Sequence, residues 1–168
     1  MRIIGIDPGL QRTGWGLIDV QGNRISHISH GVIETNAKLP SARRLAEIFD
    51  GLTQQMKIWL PEEAAVEEVF VNKNPASSLK LGLARGIALL APAKFGIPVS
   101  EYPANLVKKS VVGAGHAEKE QVQMMIRTLL PGVEASPDAA DALAVAICHA
   151  NHSASRVKMG GIMSGGVR

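Results

Sequence analysis

Five carboxylates stand where their neighbours are apolar. Asp7 ends the short β-branched run Ile3 to Ile6. Glu67 and Glu68 interrupt a run that begins Ala64-Ala65-Val66, and Asp138 and Asp141 open a segment with no other charge as far as Cys148. Two of the five have ordinary structural explanations. Asp7, in Asp7-Pro8-Gly9, suits a turn. Asp138 suits the first turn of a helix whose N-cap is Ser136 and whose first residue is Pro137. Glu67 and Glu68 point to opposite sides of a strand, so only one can face a given site, and the residue types do not say which. Asp141 is harder to explain structurally. A helix this apolar packs over much of its surface, and burying an unpaired carboxylate is very costly. Spacing of i, i+3 sets it beside Asp138, and two adjacent acids call for a cation.

Gathering such acids without a cation is unfavourable, because each like-charged pair about 6 Å apart costs about 3 kcal/mol at an effective dielectric of about 20. Protonation or metal binding relieves the repulsion. Hard oxygen ligands with no His or Cys among them suit Mg²⁺ or Mn²⁺. Two such ions about 3.5–4 Å apart can activate a water and stabilise the leaving oxygen of a phosphodiester. Two other clusters carry less. His149 and His152 stand i, i+3 beside Cys148 but lack the further ligands of a zinc site. Gly14-Trp15-Gly16 has neither the P-loop nor the dinucleotide spacing.

The elements that must position these residues are legible in outline. Ile3 to Ile6, Thr13 to Val20 and Arg24 to Thr35 read as strands, with Gln21-Gly22-Asn23 as a hairpin turn, so the chain opens with an antiparallel meander. Leu39 to Leu60 reads as a helix, with Leu45, Ile48, Phe49, Leu52 and Met56 at helical spacing. Ala64 to Val69 and Ile97 to Glu101 read as strands on either side of a helix from Ala76 to Phe95. Helical segments follow at Ala104 to Val112, Glu118 to Leu130 and Pro137 to His149. The expected class is α/β, a mixed five-stranded sheet flanked by helices. Residues 1–152 form one domain. Ser153 to Arg168 is rich in glycine, basic and free of acids, and is expected to be a disordered tail.

Composition narrows the function classes. A chain of 168 residues, 46% of them hydrophobic, can bury a real core without disulfides or structural metal. One cysteine and no long apolar run argue for a soluble cytoplasmic protein rather than a secreted scaffold or a membrane protein. The net charge of +3 is weak evidence for a nucleic-acid partner. If metal offset four of the 15 acids, the 18 basic residues would leave +7 facing a phosphate backbone.

Gly5-Ile6-Asp7-Pro8-Gly9, followed by Thr13-Gly14-Trp15-Gly16, resembles the opening of the RuvC family of Holliday-junction resolvases. Ala65-Val66-Glu67-Glu68-Val69-Phe70 resembles their second motif and Asp138-Ala139-Ala140-Asp141-Ala142-Leu143-Ala144 their last. Lys80-Leu81-Gly82, Ala84-Arg85-Gly86 and Val111-Val112-Gly113 also match, in order, between about Met1 and His149. The resemblance implies an RNase H-like fold, a homodimer, and metal-dependent cleavage of four-way junction DNA by paired nicks in recombination and repair. It implies Asp7, Glu67, Asp138 and Asp141 as catalytic, metal-binding acids holding two Mg²⁺ ions, with Mn²⁺ able to substitute. Glu68 stands where the family has glutamine. The resemblance also marks Lys108 and Lys119 as DNA contacts near the scissile phosphate, and Phe70 as an aromatic wedge at the junction centre, where stacking is worth about 1–3 kcal/mol per base. Lys73, Lys80 and Lys109 are further candidate DNA contacts. The helix from Ala76 to Phe95 is the candidate dimer surface, and the RuvA–RuvB branch-migration complex is an implied partner. Asp-Pro-Gly after a first strand also resembles the phosphate motif of actin-like kinases, but those need two large lobes that this chain is too short to build.

Overall fold

The computed structural model describes residues 1–68 and 74–163, with side chains through Ser153. Strands β1 (Arg2–Asp7), β2 (Arg12–Gln21) and β3 (Arg24–Glu34) form the antiparallel meander; helix α1 (Ser41–Trp59) leads to β4 (Glu63–Glu68). Then come α2 (Pro75–Phe95), β5 (Val99–Pro103), α3 (Ala104–Val112), α4 (Lys119–Leu129) and α5 (Pro137–Met163). The sheet order is β3-β2-β1-β4-β5, with β1, β4 and β5 mutually parallel. The turn between β2 and β3 is Gly22-Asn23, and its positive φ of 61° falls on the glycine.

Alternation along the strands splits the core in two. Ile4, Ile6, Ala64 and Val66 face α1 and α2, where they pack with Ile48, Leu52, Met56, Ala84 and Ala88. Ile3, Ile18, Ala65 and Tyr102 face α3, α4 and α5. Every second residue shares a face, so Asp7 (with Ile3) and Glu67 (with Ala65) point to the α5 side, and Glu68 points away. This answers the question that residue types left open.

Helix α5 lies unusually close to the sheet. A Cβ on Gly5 would meet Ala142 O at 2.0 Å, and one on Gly14 would meet Asp138 O at 2.0 Å. Only glycine admits such an approach, and the helix answers with small buried residues, Ala139, Ala140, Ala142, Ala144 and Ala146. Gly14 is the register partner of Asp7. The first two turns of α5 are thereby pressed down over the end of β1.

Two expectations are corrected. β5 is Val99–Pro103, not Ile97 to Glu101, and its parallel pairing with β4 from Ala64 to Glu68 sets that register. Helix α5 does not stop near His149: it runs to Met163. Ala154, Arg156 and Lys158 are good helix formers, and the sequence contains no proline to stop the helix there.

Candidate active site

At the ends of β1 and β4, under the start of α5, Asp7, Glu67 and Asp141 line one cleft of about 230 Å³ with Lys108 of α3 and Lys119 of α4; Ala104, Val107, Val122 and Ala144 form its apolar walls. Each acid arrives by its own local logic. Asp7 and Glu67 sit where two parallel strands end side by side. Asp141 projects from a helix held down by the contacts at Gly5 and Gly14.

The carboxyl groups are electrostatically stressed. Burial pushes Asp7 well above the usual carboxylate range, and Glu67, Asp141 and Asp138 add to the shift. Burial raises Glu67 too; Asp141 adds to the rise, while a hydrogen bond with Asp7 and the charges of Lys108 and Lys119 oppose it. Asp141 is raised by burial and by Asp138, against Lys119 and Lys108. The mutual hydrogen bond of Asp7 and Glu67 raises Asp7 and lowers Glu67, so of the two Asp7 holds a proton the more tightly, and a bound cation would compete with it.

Asp138 behaves differently. Its carboxylate accepts a hydrogen bond from Arg12 Nε at 2.7 Å, and Arg12 Nη1 also pairs with Glu34 at 3.0 Å. It does not line the cleft. Among the described residues, no three His, Cys, Asp or Glu side chains converge closely enough to grip one metal ion. The expected set of four converging acids is thus seen as three acids around a cleft and a fourth held aside. The physical reason is local compensation: Asp138 takes Arg12, Asp141 lies 3.9 Å from Lys119 Nζ, and Asp7 and Glu67 hydrogen-bond to each other. The donor chemistry still fits a hard cation, being carboxylate oxygen throughout.

The candidate DNA-binding residues divide as well. Lys108 and Lys119 are in the cleft, whereas Lys109 and Lys80 are exposed outside it. Phe70 and Lys73 lie outside the described residues. Residue types gave no sign of Arg12, whose partner is 126 positions away. His149 has structural partners: it is buried, with Nε2 against Glu63 Oε2 and Nδ1 2.8 Å from Tyr102 Oη. Cys148 is also buried and accepts from Ser110 Oγ at 3.3 Å.

The family model described as crossover junction endodeoxyribonuclease RuvC matches residues 3–149. This chain belongs to the RuvC family. A RuvC of Paramagnetospirillum magneticum is 59% identical over 160 residues, covering 95% of this chain and 96% of the relative. A RuvC of Rhodospirillum rubrum is 54% identical over 169 residues, the full length of both. Among solved structures, Thermus thermophilus RuvC in complex with a Holliday junction substrate superposes with a TM-score of 0.85 at 34% identity, covering 92% of this chain and 96% of that one. The yeast mitochondrial Holliday junction resolvase, 12% identical with a TM-score of 0.61 over 92% of this chain and 85% of its own, shares the fold. The architecture is the RNase H-like α/β sheet expected of RuvC proteins, and the three cleft acids belong to the motifs that carry the resemblance.

Proposed function

We propose that this chain is a Mg²⁺-dependent, structure-specific DNA endonuclease that resolves four-way junctions by paired symmetric nicks. One observation carries the reading: in a RuvC-family chain, Asp7, Glu67 and Asp141 share one cleft with Lys108 and Lys119. The arrangement suits phosphodiester hydrolysis. Lys108 and Lys119 set positive charge where a scissile phosphate enters, and Val107 and Val122 wall the cleft with apolar surface that limits water. Asp7, Glu67 and Asp141 would hold the cations, and Asp138 would join them on leaving Arg12. Two bound Mg²⁺ ions supply activation of the attacking water and stabilisation of the leaving oxygen. Until then, the hydrogen bond between Asp7 and Glu67 moderates their repulsion.

The partner of α2 is a second copy of the chain. Leu79, Leu83 and Leu90 on this helix are 73%, 46% and 47% exposed, and added Cβ atoms on Gly82 and Gly86 would meet nothing within 4 Å. An apolar stripe this open suits a helix packed across a two-fold axis. Two identical sites so related match the near two-fold symmetry of a four-way junction. Phe70 is proposed to wedge against bases at the junction centre, Lys73, Lys80 and Lys109 to contact the DNA, and the RuvA–RuvB complex to be a partner in the cytoplasm during recombination and repair.

The test is cleavage of a synthetic four-way junction and a matched linear duplex, in Mg²⁺ and in EDTA. Paired nicks in the junction alone, only with metal, are expected. Junction binding without nicks in either Mg²⁺ or Mn²⁺ would leave a binding module, not a resolvase.

A further inference from the structure

Arg12 and Glu34 are brought together by the sheet. They stand opposite each other in the β2–β3 register, the first residue of one strand and the last of the other. A cross-strand pair of opposite charge is stabilising in its own right, and Arg12 Nη1 meets Glu34 Oε1 at 3.0 Å. Asp138 comes to this pair from outside the sheet. Its Oδ2 accepts from Arg12 Nε at 2.7 Å, so one guanidinium serves two carboxylates through different nitrogens.

The position of Asp138 makes this more than a surface ion pair. It lies three residues before Asp141, on the same face of α5. Its charge reaches both Asp7 and Asp141 and opposes their ionisation, yet it does not line the cleft. Its backbone is already pressed against the sheet, since Asp138 O would lie 2.0 Å from a Cβ on Gly14, the register partner of Asp7. The side chain must therefore turn to bring the carboxylate over the cleft, and Arg12 Nε holds that side chain. All three side chains are partly exposed, 46% for Arg12, 63% for Glu34 and 28% for Asp138. Water can replace the contact between Arg12 and Asp138, and Arg12 keeps Glu34 when Asp138 leaves. The contact is reversible and its opening strands no buried charge.

We propose that Arg12 is a latch on Asp138: it holds the fourth acid off the divalent ion, and Glu34 is the partner it keeps when the latch opens. Arg12 is thus a positioning residue that sets metal affinity through Asp138, and the chain binds its ion less tightly than its four acids allow. This rests on the metal-dependent reading above.

The test is calorimetric titration of the metal-free chain with Mn²⁺, without DNA, for Arg12→Gln and Glu34→Gln, each with and without Asp138→Asn. Melting in EDTA checks that each variant folds. The worth of a partly exposed ion pair sets the scale, about two- to fivefold in Kd. Arg12→Gln should tighten Mn²⁺ binding by that factor, because Asp138 is freed. Glu34→Gln should weaken it by a similar factor, because Arg12 then closes on Asp138 alone. Both effects should vanish in Asp138→Asn, which separates action through that residue from the field of a nearby charge. Unchanged or weaker binding in Arg12→Gln, or equal effects with and without Asp138, would overturn the latch and leave the nuclease reading standing. Should Arg12→Gln fail to fold, Glu34→Gln with and without Asp138→Asn decides by the same criterion. An unaltered chain that binds no Mn²⁺ sinks the metal-dependent reading, and the latch with it.

Discussion

Gly5→Ala tests whether the approach of α5 to the sheet sets the geometry of the cleft. The added carbon would sit 2.0 Å from Ala142 O and 2.7 Å from Ala146 N. Real Cβ atoms essentially never come closer than 3.0 Å, and in a close-packed interior β1 and α5 must therefore part by about 1 Å. The obstructing atoms nearest to it are backbone, so no rotamer change can absorb the carbon. Overpacking of this kind costs about 1–3 kcal/mol, which for a chain of this length lowers the melting temperature by about 2–12 °C. The effect on chemistry should be larger than the effect on stability. Asp141 rides on the helix that moves and Asp7 on the strand it leaves, and a misplacement of about 1 Å can cost about 100-fold in rate. The assay pairs a thermal melt with single-turnover cleavage of a four-way junction in Mg²⁺, at a temperature where the variant is folded. A folded variant with undiminished cleavage would refute the claim that this contact sets the site.

Three further outcomes are expected. Asp7→Asn should abolish cleavage while keeping junction binding, and should raise the melting temperature in EDTA, because it removes a buried carboxyl group whose ionised form is crowded by Glu67, Asp141 and Asp138; loss of both binding and stability would mark Asp7 as a folding residue. The raised carboxyl groups of Asp7, Glu67 and Asp141 bind protons more tightly in the folded chain than in the unfolded one, so metal-free stability should fall as pH rises from the ordinary carboxylate range through their raised values. Over the same window Mg²⁺ affinity, read by metal titration without DNA, should climb, since the ion must displace those protons; matching pH trends for both would contradict the assignment. Leu79→Glu with Leu83→Glu should yield a folded monomer in sedimentation, since both side chains are exposed in a single chain, and an unchanged dimer would move the interface away from α2.

Sequence made the strand order's ingredients and most helix spans visible, because β-branched runs, Gly22 and the helical spacing of Ile48, Leu52 and Met56 are local signals. It also singled out Asp141, through its isolation in an apolar helix. The choice between Glu67 and Glu68 was not local: it follows from which face Ala65 takes once β4 pairs with β1. The hold of Arg12 on Asp138 and the chain from Glu63 through His149 to Tyr102 join residues far apart in sequence. No spacing rule reaches them.

The buried run of α5 has a kinetic consequence. From Ala142 to Ala150 every residue is buried, and the helix packs on β1, β2, α3 and α4. Its backbone amides should exchange with deuterated solvent only when the whole domain opens, at the slow end of the protection scale. Asp141 is part of that same unit. The cleft therefore has no independent melting step on this side, and heating should leave its α5 wall intact until the domain itself unfolds. An enzyme built this way loses activity and fold at one temperature, and any adaptation to cold must come from the other side of the cleft, where Lys108 and Lys119 stand on shorter helices.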